Sequence, residues 1–235
     1  MKWGEPVTQP VKAAIVDYGL GNLWSVKHAC QHTGMEGNIT DDPNAVSNAD
    51  VVILPGVGAF GDAMNELRRR DLVTPIHDFA QSGKPLIGIC LGLQLLMEES
   101  HEFGSHNGLG LIEGEVLPFE NLGVVRGLPT DSKVRPYKVP QVGWNHVRRN
   151  QLSWNDTPLE GVSDGEFMYF VHSFYVKPSD ERLILSCSMY GNIEFCSSVR
   201  QGNIFACQFH PERSGENGLR IYENIAAIVR NHNND

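Results

Sequence analysis

Two segments far apart in the chain carry side chains that could cooperate in nucleophilic catalysis. The first is Gly88-Ile-Cys-Leu-Gly92, where glycines stand two positions before and after a cysteine. This pattern is typical of a sharp turn from strand to helix that exposes a nucleophile in a strained conformation, where neighbouring side chains would be crowded. We expect Cys90 to be the nucleophile, with its thiolate favoured by the helix that follows. The N–H of Leu91 would then stabilise an oxyanion.

The second segment is Gln208-Phe-His-Pro-Glu212, near the end of the chain. Proline favours an extended segment here, in which side chains two positions apart point the same way. Glu212 would then orient the imidazole of His210, leaving the second ring nitrogen for Cys90. Alone, each segment also fits an ordinary structural explanation: a buried cysteine before a glycine-rich turn, or a surface ion pair. Together they predict a Cys-His-Glu triad.

Apolar runs that alternate with helical patterns would position the cysteine. Such alternation predicts an α/β fold with a mostly parallel central sheet and helices on both faces. The strands are predicted at 12–17, 51–54 and 86–89, and the helices at 22–33, with Asn22 as cap, 59–70, 72–81 and 91–99.

The second half of the chain has a different pattern. Its strand-like runs are separated by Gly, Asn and Pro, which indicates an added mixed or antiparallel portion. These runs are 167–176, 183–188, 193–199 and 204–209, before a last helix from 215 to about 230. We expect one domain over 12–235 and a flexible tail at 1–11.

Composition narrows the class of protein. The 235 residues carry a net charge of −9, whereas nucleic-acid binding is typical of basic surfaces, so we expect no nucleic-acid partner. Neither a signal peptide nor a long apolar run is present, which predicts a cytoplasmic protein without membrane segments. Besides Cys90, we expect Cys30, Cys187, Cys196 and Cys207 to be inert core thiols. The spacing of His101, Glu102 and His106 matches no usual zinc pattern and favours a solvated loop, so we expect no metal and no cofactor.

The motifs as a group resemble those of a known family. GICLG followed by Gln94, with QFHPE late in the chain, is similar to the class I (triad) glutamine amidotransferases. Four further segments resemble the glutaminase subunit of imidazole glycerol phosphate synthase: DYGLGN from Asp17, PGVGAF from Pro55, VGWN from Val142 and YFVHS from Tyr169. The resemblance spans roughly 12–230.

This resemblance implies a flavodoxin-like fold and hydrolysis of L-glutamine by Cys90, His210 and Glu212. The ammonia would pass to a (β/α)8-barrel cyclase subunit in a heterodimer. The joint products would be imidazole glycerol phosphate, for histidine biosynthesis, and aminoimidazole carboxamide ribotide.

The resemblance also implies roles for residues around the triad. Glutamine would be held by Gly56, Gly58 and Gln94, and by the backbone of Ser173 and Phe174. The barrel subunit would contact five positions: Asn22, Trp144, Asn145, Tyr169 and Arg213. Arg213 stands where lysine is usual, which keeps the positive charge but replaces an ammonium with a planar guanidinium that forms different hydrogen bonds.

Val57 leads to a hypothesis about how the glutaminase activity is regulated. Its N–H would be the second oxyanion donor, but a β-branched residue resists positive φ. We expect the oxyanion hole of the free subunit to be unformed and to be completed when the partner binds its ligand.

Three alternatives remain open from the sequence. The stretch 191–196 is more like a paralogous branch in which ammonia converts an acetamido group of a nucleotide sugar to an acetamidino group. A catalytically silent regulatory subunit should lack a triad residue, yet all three are present. A cysteine peptidase on a similar fold would not explain Gln94 or the segment from Val142 to Asn145.

Overall fold

Helices and strands alternate in the first half of the chain, and strands dominate the second. The computed structural model describes residues 10–120 and 137–233. In these ranges the strands are β1 Val11–Val16, β2 Met35–Thr40, β3 Val51–Gly56, β4 Leu86–Cys90, β5 Met97–Ser100, β6 His106–Asn107, β7 Ile112–Pro118, β8 Gln141–Arg149, β9 Glu166–His172, β10 Phe174–Pro178, β11 Ile184–Tyr190, β12 Ile193–Gln201 and β13 Ile204–Cys207. The helices are α1 Leu23–His32, α2 Pro43–Ser47, α3 Phe60–Arg69, α4 Val73–Gln81, α5 Leu91–Leu95 and α6 Gly215–His232, with 3-10 turns at Glu181–Leu183 and Pro211–Arg213.

The centre of the sheet is parallel, in the order β2-β1-β3-β4-β13. Its strands are apolar on both faces because each face is covered. In β1, Ala13 and Ile15 enter one hydrophobic core while Ala14 and Val16 enter the other. This alternation is the two-residue period of a strand, and it places β4 in the middle of the molecule.

Helices cover both faces of this sheet, as the sequence predicted. Apolar residues of α1 and α6 belong to one core, and those of α3, α4 and α5 belong to the other. In α3 the buried residues are Phe60, Ala63, Met64 and Leu67, whose spacing places them along one side of a helix. The predicted α/β arrangement is therefore confirmed.

The second half adds the predicted antiparallel strands. β12 pairs antiparallel with β13, β10 and β11, and β10 continues the sheet to β7. β8 and β9 form a hairpin that joins the sheet through β11. The run predicted as one strand over 167–176 is divided at Ser173 into β9 and β10, which pair with different neighbours.

Three local predictions are wrong. The helix predicted to reach Glu99 ends at Leu95, because Met97 onwards forms β5 and pairs with β7. Asn22 occupies the cap position of α1, but its side chain accepts a hydrogen bond from Ser25 Oγ and none from the helix backbone. Most of the predicted tail lies outside the described residues, but Val11 belongs to β1, where it pairs with Met35.

None of the helices in residues 10–120 and 137–233 is both long and apolar enough to cross a membrane.

Candidate active site

Cys90 lies at the carboxyl end of β4, where the chain turns abruptly into α5. Its backbone has φ 55° and ψ −107°, a positive-φ conformation that residues with a side chain rarely adopt. Such strain persists only where the surrounding structure enforces it, and it is frequent at functional sites. The side chain therefore leaves the sheet at the centre of the carboxyl edge, between β3 and β13.

The two glycines around Cys90 are required by close packing. A Cβ added to Gly88 would lie 2.9 Å from the Cβ of Ala206 and 3.1 Å from the backbone carbon of Gly92. A Cβ on Gly92 would overlap the carbonyl oxygen of Leu54. The turn therefore depends on the absence of side chains two positions before and after the cysteine, as the sequence indicated.

His210 and Glu212 form a buried pair beside Cys90. His210 Nδ1 lies 2.8 Å from Glu212 Oε1, so the carboxylate accepts the Nδ1–H hydrogen bond. The contact is the predicted one, but the extended conformation predicted for it is wrong beyond His210. Pro211–Arg213 is a 3-10 turn, in which proline occupies the first position, where its lack of an N–H is harmless.

His210 Nε2 is buried and has no hydrogen-bond partner, so it is the ring nitrogen available to the cysteine. Burial by itself lowers the pKa of His210, because it disfavours a charged ring. The Cys90 sulfur and the Glu212 carboxylate outweigh burial and raise the pKa to about 10. The His210 imidazole can therefore hold a proton taken from the Cys90 sulfur.

The other four cysteines lie in surroundings that suppress reactivity. Burial raises the pKa of the Cys30 thiol to about 12 and that of Cys187 to about 11. The pKa values of Cys196 and Cys207 are also raised well above the ordinary range, again chiefly by burial. Because the thiolate is the reactive form, these four are poor nucleophiles, which agrees with their predicted role as core residues.

A cavity of about 260 Å³ opens in front of the Cys90 sulfur. It brings together six of the residues predicted to bind glutamine or stabilise an oxyanion, and four further residues line it. The predicted residues are Val57, Gly58, Leu91, Gln94, Ser173 and Phe174, and the others are Glu102, Pro140, Val171 and His172.

Gly56, Val57 and Gly58 form the end of β3 and the turn after it. Gly56 is the register partner of Cys90, and a Cβ on it would overlap the Tyr18 hydroxyl. Gly58 has φ +108°, whereas Val57 is not among the described residues with positive φ. Leu91 begins α5, so its N–H has no acceptor within the helix.

Gln94, predicted only as a substrate contact, lies within a buried polar network. Its Nε2 donates to Phe174 O and to Gln208 Oε1, both at 3.1 Å. Gln208 in turn places its Nε2 3.5 Å from Cys90 Sγ. The sequence analysis assigned no role to Gln208, although its position two residues before His210 was a usable signal.

His172 and Glu102 are further buried ionisable groups, to which the sequence analysis assigned no role in this site. Burial lowers the pKa of His172 to about 4, so its ring is neutral, and Nδ1 donates to Phe174 O at 2.8 Å. The Glu102 carboxylate accepts a hydrogen bond from the N–H of Phe60, the first residue of α3. Burial raises the pKa of Glu102, which contradicts the expectation of a solvated loop at this position.

Three of the five residues predicted at a partner interface form one cluster, and the other two make separate contacts. Trp144 and Tyr169 are register partners on β8 and β9, with rings packed edge to face, and the Arg213 guanidinium lies 4.7 Å from the Tyr169 ring centre. Asn145 points elsewhere, because its Nδ2 donates to Met189 O on β11. Asn22 begins α1, a helix that packs against the turn carrying Arg213.

Comparisons of the sequence with a family model and with known proteins point to the same family. The family Glutamine amidotransferase class-I matches residues 14–228. Imidazole glycerol phosphate synthase subunit HisH of Rhodopirellula baltica is 47% identical, covering 90% of this chain and 95% of the relative. The protein of the same name from Aquifex aeolicus is 44% identical, covering 92% of this chain and 96% of the relative.

Solved structures agree in fold. PurLQS from Thermotoga maritima has a TM-score of 0.66 at 23% identity, covering 92% of this chain and 97% of that one. The glutaminase domain of Trypanosoma brucei CTPS with bound acivicin has a TM-score of 0.56 at 14% identity, covering 93% of each chain. On its sequence motifs, the geometry of its cysteine turn and these similarities, the chain belongs to the class-I glutamine amidotransferase family, among the HisH subunits of imidazole glycerol phosphate synthase.

Proposed function

We propose that the chain hydrolyses L-glutamine to glutamate and ammonia as the glutaminase subunit of imidazole glycerol phosphate synthase, in histidine biosynthesis. The observation that carries this proposal is the buried His210–Glu212 pair beside a cysteine that the fold holds in a strained turn. Family membership supports the reaction, and relatives of 43–47% identity support the pathway.

The triad would act in two steps. His210 Nε2 accepts the Cys90 proton, and the sulfur attacks the side-chain amide carbon of glutamine. The C–N bond then breaks as the imidazolium returns this proton to the leaving nitrogen, which departs as ammonia. In the second step His210 takes a proton from water, the hydroxyl attacks the thioester, and glutamate leaves as the sulfur regains a proton. Glu212 keeps the ring in the tautomer that leaves Nε2 free.

The cavity residues would hold the substrate and the oxyanion. Both amide hydrogens of Gln94 are engaged by Phe174 O and Gln208 Oε1, so only Gln94 Oε1 remains to accept a hydrogen bond from glutamine. The backbone of Gly58, Ser173 and Phe174 would line the rest of the site, and Gly56 lies beside it as the register partner of Cys90. The N–H of Leu91 would be one oxyanion donor and that of Val57 the second.

The partner is a barrel-shaped cyclase subunit, for which the surface around Trp144 is the strongest candidate contact. Trp144 is 56% exposed, and Val142 and Phe167 are exposed on the same hairpin. Exposed aromatic residues beside a cation are typical of binding hot spots. Five free cysteines agree with a reducing, cytoplasmic location.

The alternatives are weaker. Supply of ammonia to a nucleotide sugar is not favoured, because the relatives named above are subunits of imidazole glycerol phosphate synthase. A silent regulatory subunit would not need a strained cysteine beside a buried His–Glu pair. A peptidase would not explain Gln94 in the lining of the cavity in front of Cys90.

The test is glutamate release by the purified chain, alone and with a cyclase subunit from the same cell carrying its ligand. We expect little activity from the chain alone and a rise of about 10²–10³ in the liganded complex, the effect of one oxyanion donor. Equal activity in both samples would contradict the incomplete oxyanion hole. Absence of activity in the liganded complex, together with no labelling of Cys90 by diazo-oxo-norleucine, would contradict the proposed glutaminase.

A further inference from the structure

Gln208 is a buried amide that touches the nucleophile and has no part in the mechanism described so far. It follows directly after β13, the strand that pairs with β4 on one side of Cys90. Its side chain is fully buried, and its Nε2 lies 3.5 Å from Cys90 Sγ. The two residues are 118 positions apart, so only the tertiary structure brings them together.

The surrounding contacts determine which end of the Gln208 amide faces the sulfur. Phe174 O can only accept a hydrogen bond, so the end of Gln94 that faces it must be the NH2 group. The same NH2 group faces Gln208 at 3.1 Å, and that contact is favourable only if Gln208 presents its oxygen. The NH2 group of Gln208 is therefore left pointing at Cys90.

We propose that Gln208 is a positioning residue that donates its N–H to the Cys90 sulfur and holds the thiolate facing the glutamine cavity. The inference rests on the proposed glutaminase reaction and adds a residue to it. A hydrogen bond to a charged acceptor is stronger than one to a neutral acceptor, so the contact strengthens as the thiol loses its proton. The amide thereby favours the form of Cys90 that attacks.

The contact of the sulfur with Val171 cannot serve this purpose. In the thiol form, Sγ can donate a weak hydrogen bond to Val171 O, 3.8 Å away. A carbonyl oxygen has no hydrogen to donate, so this contact loses its value when the proton leaves. In addition, α5 spans only Leu91–Leu95, and a helix this short supplies less favourable potential than the longer predicted helix would. A side-chain donor compensates for both.

The titratable groups around the sulfur are separate from Gln208. Tyr18, Cys207 and His210 interact electrostatically with Cys90, and Glu102 and His172 line the same cavity. Gln208 itself is uncharged throughout the usable pH range. Replacing Gln208 with another uncharged residue therefore adds and removes no titrating group. A change in the pH dependence of Cys90 reactivity then reports on the lost hydrogen bond.

The experiment is the pH dependence of Cys90 alkylation by iodoacetamide in the full chain, read by peptide mapping. Gln208→Met removes the donor and keeps the length of the side chain. We expect the midpoint of the profile to move up by about one pH unit, with about tenfold slower alkylation below the midpoint. Gln208→Glu places a carboxylate beside the sulfur and should move the midpoint further.

Gln201→Met is the matched control, because Gln201 Nε2 donates to Leu111 O at 3.1 Å without touching the sulfur. Its profile should equal that of the unmodified chain. An unchanged midpoint in Gln208→Met would overturn the proposal. Equal shifts in Gln208→Met, Gln208→Glu and Gln201→Met would also overturn it, since general loosening would then explain the effect.

A second variant covers the case in which Gln208→Met does not fold. Gln94→Met removes the group that orients the Gln208 amide and leaves the amide in place, so a smaller shift in the same direction is expected. No shift would overturn the proposal. The alkylation profile requires neither glutamine nor a partner, so failure of the glutaminase assay and failure of this inference are distinguished.

Discussion

At the scale of single residues, the environment of a side chain decides its chemistry. Five cysteines occur in this chain, and burial raises the pKa of four of them beyond use at neutral pH. Cys90 differs because it lies against a cavity, an imidazole and an amide donor. The same thiol group is thus either inert packing or a nucleophile, depending on its neighbours.

Glu212→Gln should lower glutaminase activity in the complex by about 10²–10⁴, because the neutral amide no longer stabilises the charged ring of His210. Glutamate release at saturating glutamine measures the effect. The exposed Glu223 on α6 offers a control, and Glu223→Gln should leave activity unchanged. Full activity of Glu212→Gln would remove Glu212 from the triad.

His172 should make stability depend on pH. Its pKa is about 4 in the folded protein against 6.5 for an ordinary histidine, so the unfolded chain binds a proton that the folded chain refuses. The stabilisation is present above about pH 6.5 and is lost as pH falls towards 4, on the order of 3 kcal/mol in total. Urea unfolding at pH 7 and pH 4.5 measures this loss.

His172→Gln has no titrating ring at this position. The variant should therefore lose less free energy of unfolding than the unmodified chain between the same two pH values. Equal losses in the two proteins would show that the folded ring accepts a proton as readily as the unfolded one does.

At the scale of elements, the turn from β4 to α5 is the most tightly constrained part of the fold. Gly92→Ala should destabilise the protein by about 3 kcal/mol, since the added Cβ would overlap Leu54 O within the central sheet. Thermal or urea unfolding gives the value. Gly202→Asn is the control: Gly202 has φ +57° with no atom within 4 Å of an added Cβ, and asparagine tolerates this conformation. A stable Gly92→Ala would contradict the packing described here.

At the scale of the whole molecule, the hairpin β8–β9 joins the catalytic site to the exposed surface. The carbonyl of Tyr169 accepts the N–H of His210, while its ring packs between Trp144 and Arg213. A partner that binds this surface would therefore contact Tyr169, whose carbonyl is hydrogen-bonded to His210 of the triad. This geometry agrees with the proposal that partner binding activates the glutaminase.

Trp144→Ala should weaken association with the proposed cyclase subunit by about 30-fold, the effect of losing one hot-spot aromatic residue. Calorimetric titration of the two subunits measures the dissociation constant. Leu152→Ala is a control, because Leu152 is exposed but lies beyond the far end of β8. If both variants bind as the unmodified chain does, the interface lies elsewhere.

Local sequence patterns were sufficient for strands β1, β3 and β4, for helices α1, α3 and α4, and for the contact of His210 with Glu212, because alternation, helical periodicity and glycine spacing act over a few residues. They failed where distant contacts decide the outcome. Pairing of β5 with β7 ends α5 at Leu95, although the local pattern continues as a helix. The amide network from Phe174 through Gln94 and Gln208 to Cys90 joins residues 80 to 118 positions apart. Such contacts depend on how strands are ordered in the sheet, and short-range periodicity carries no information about that order.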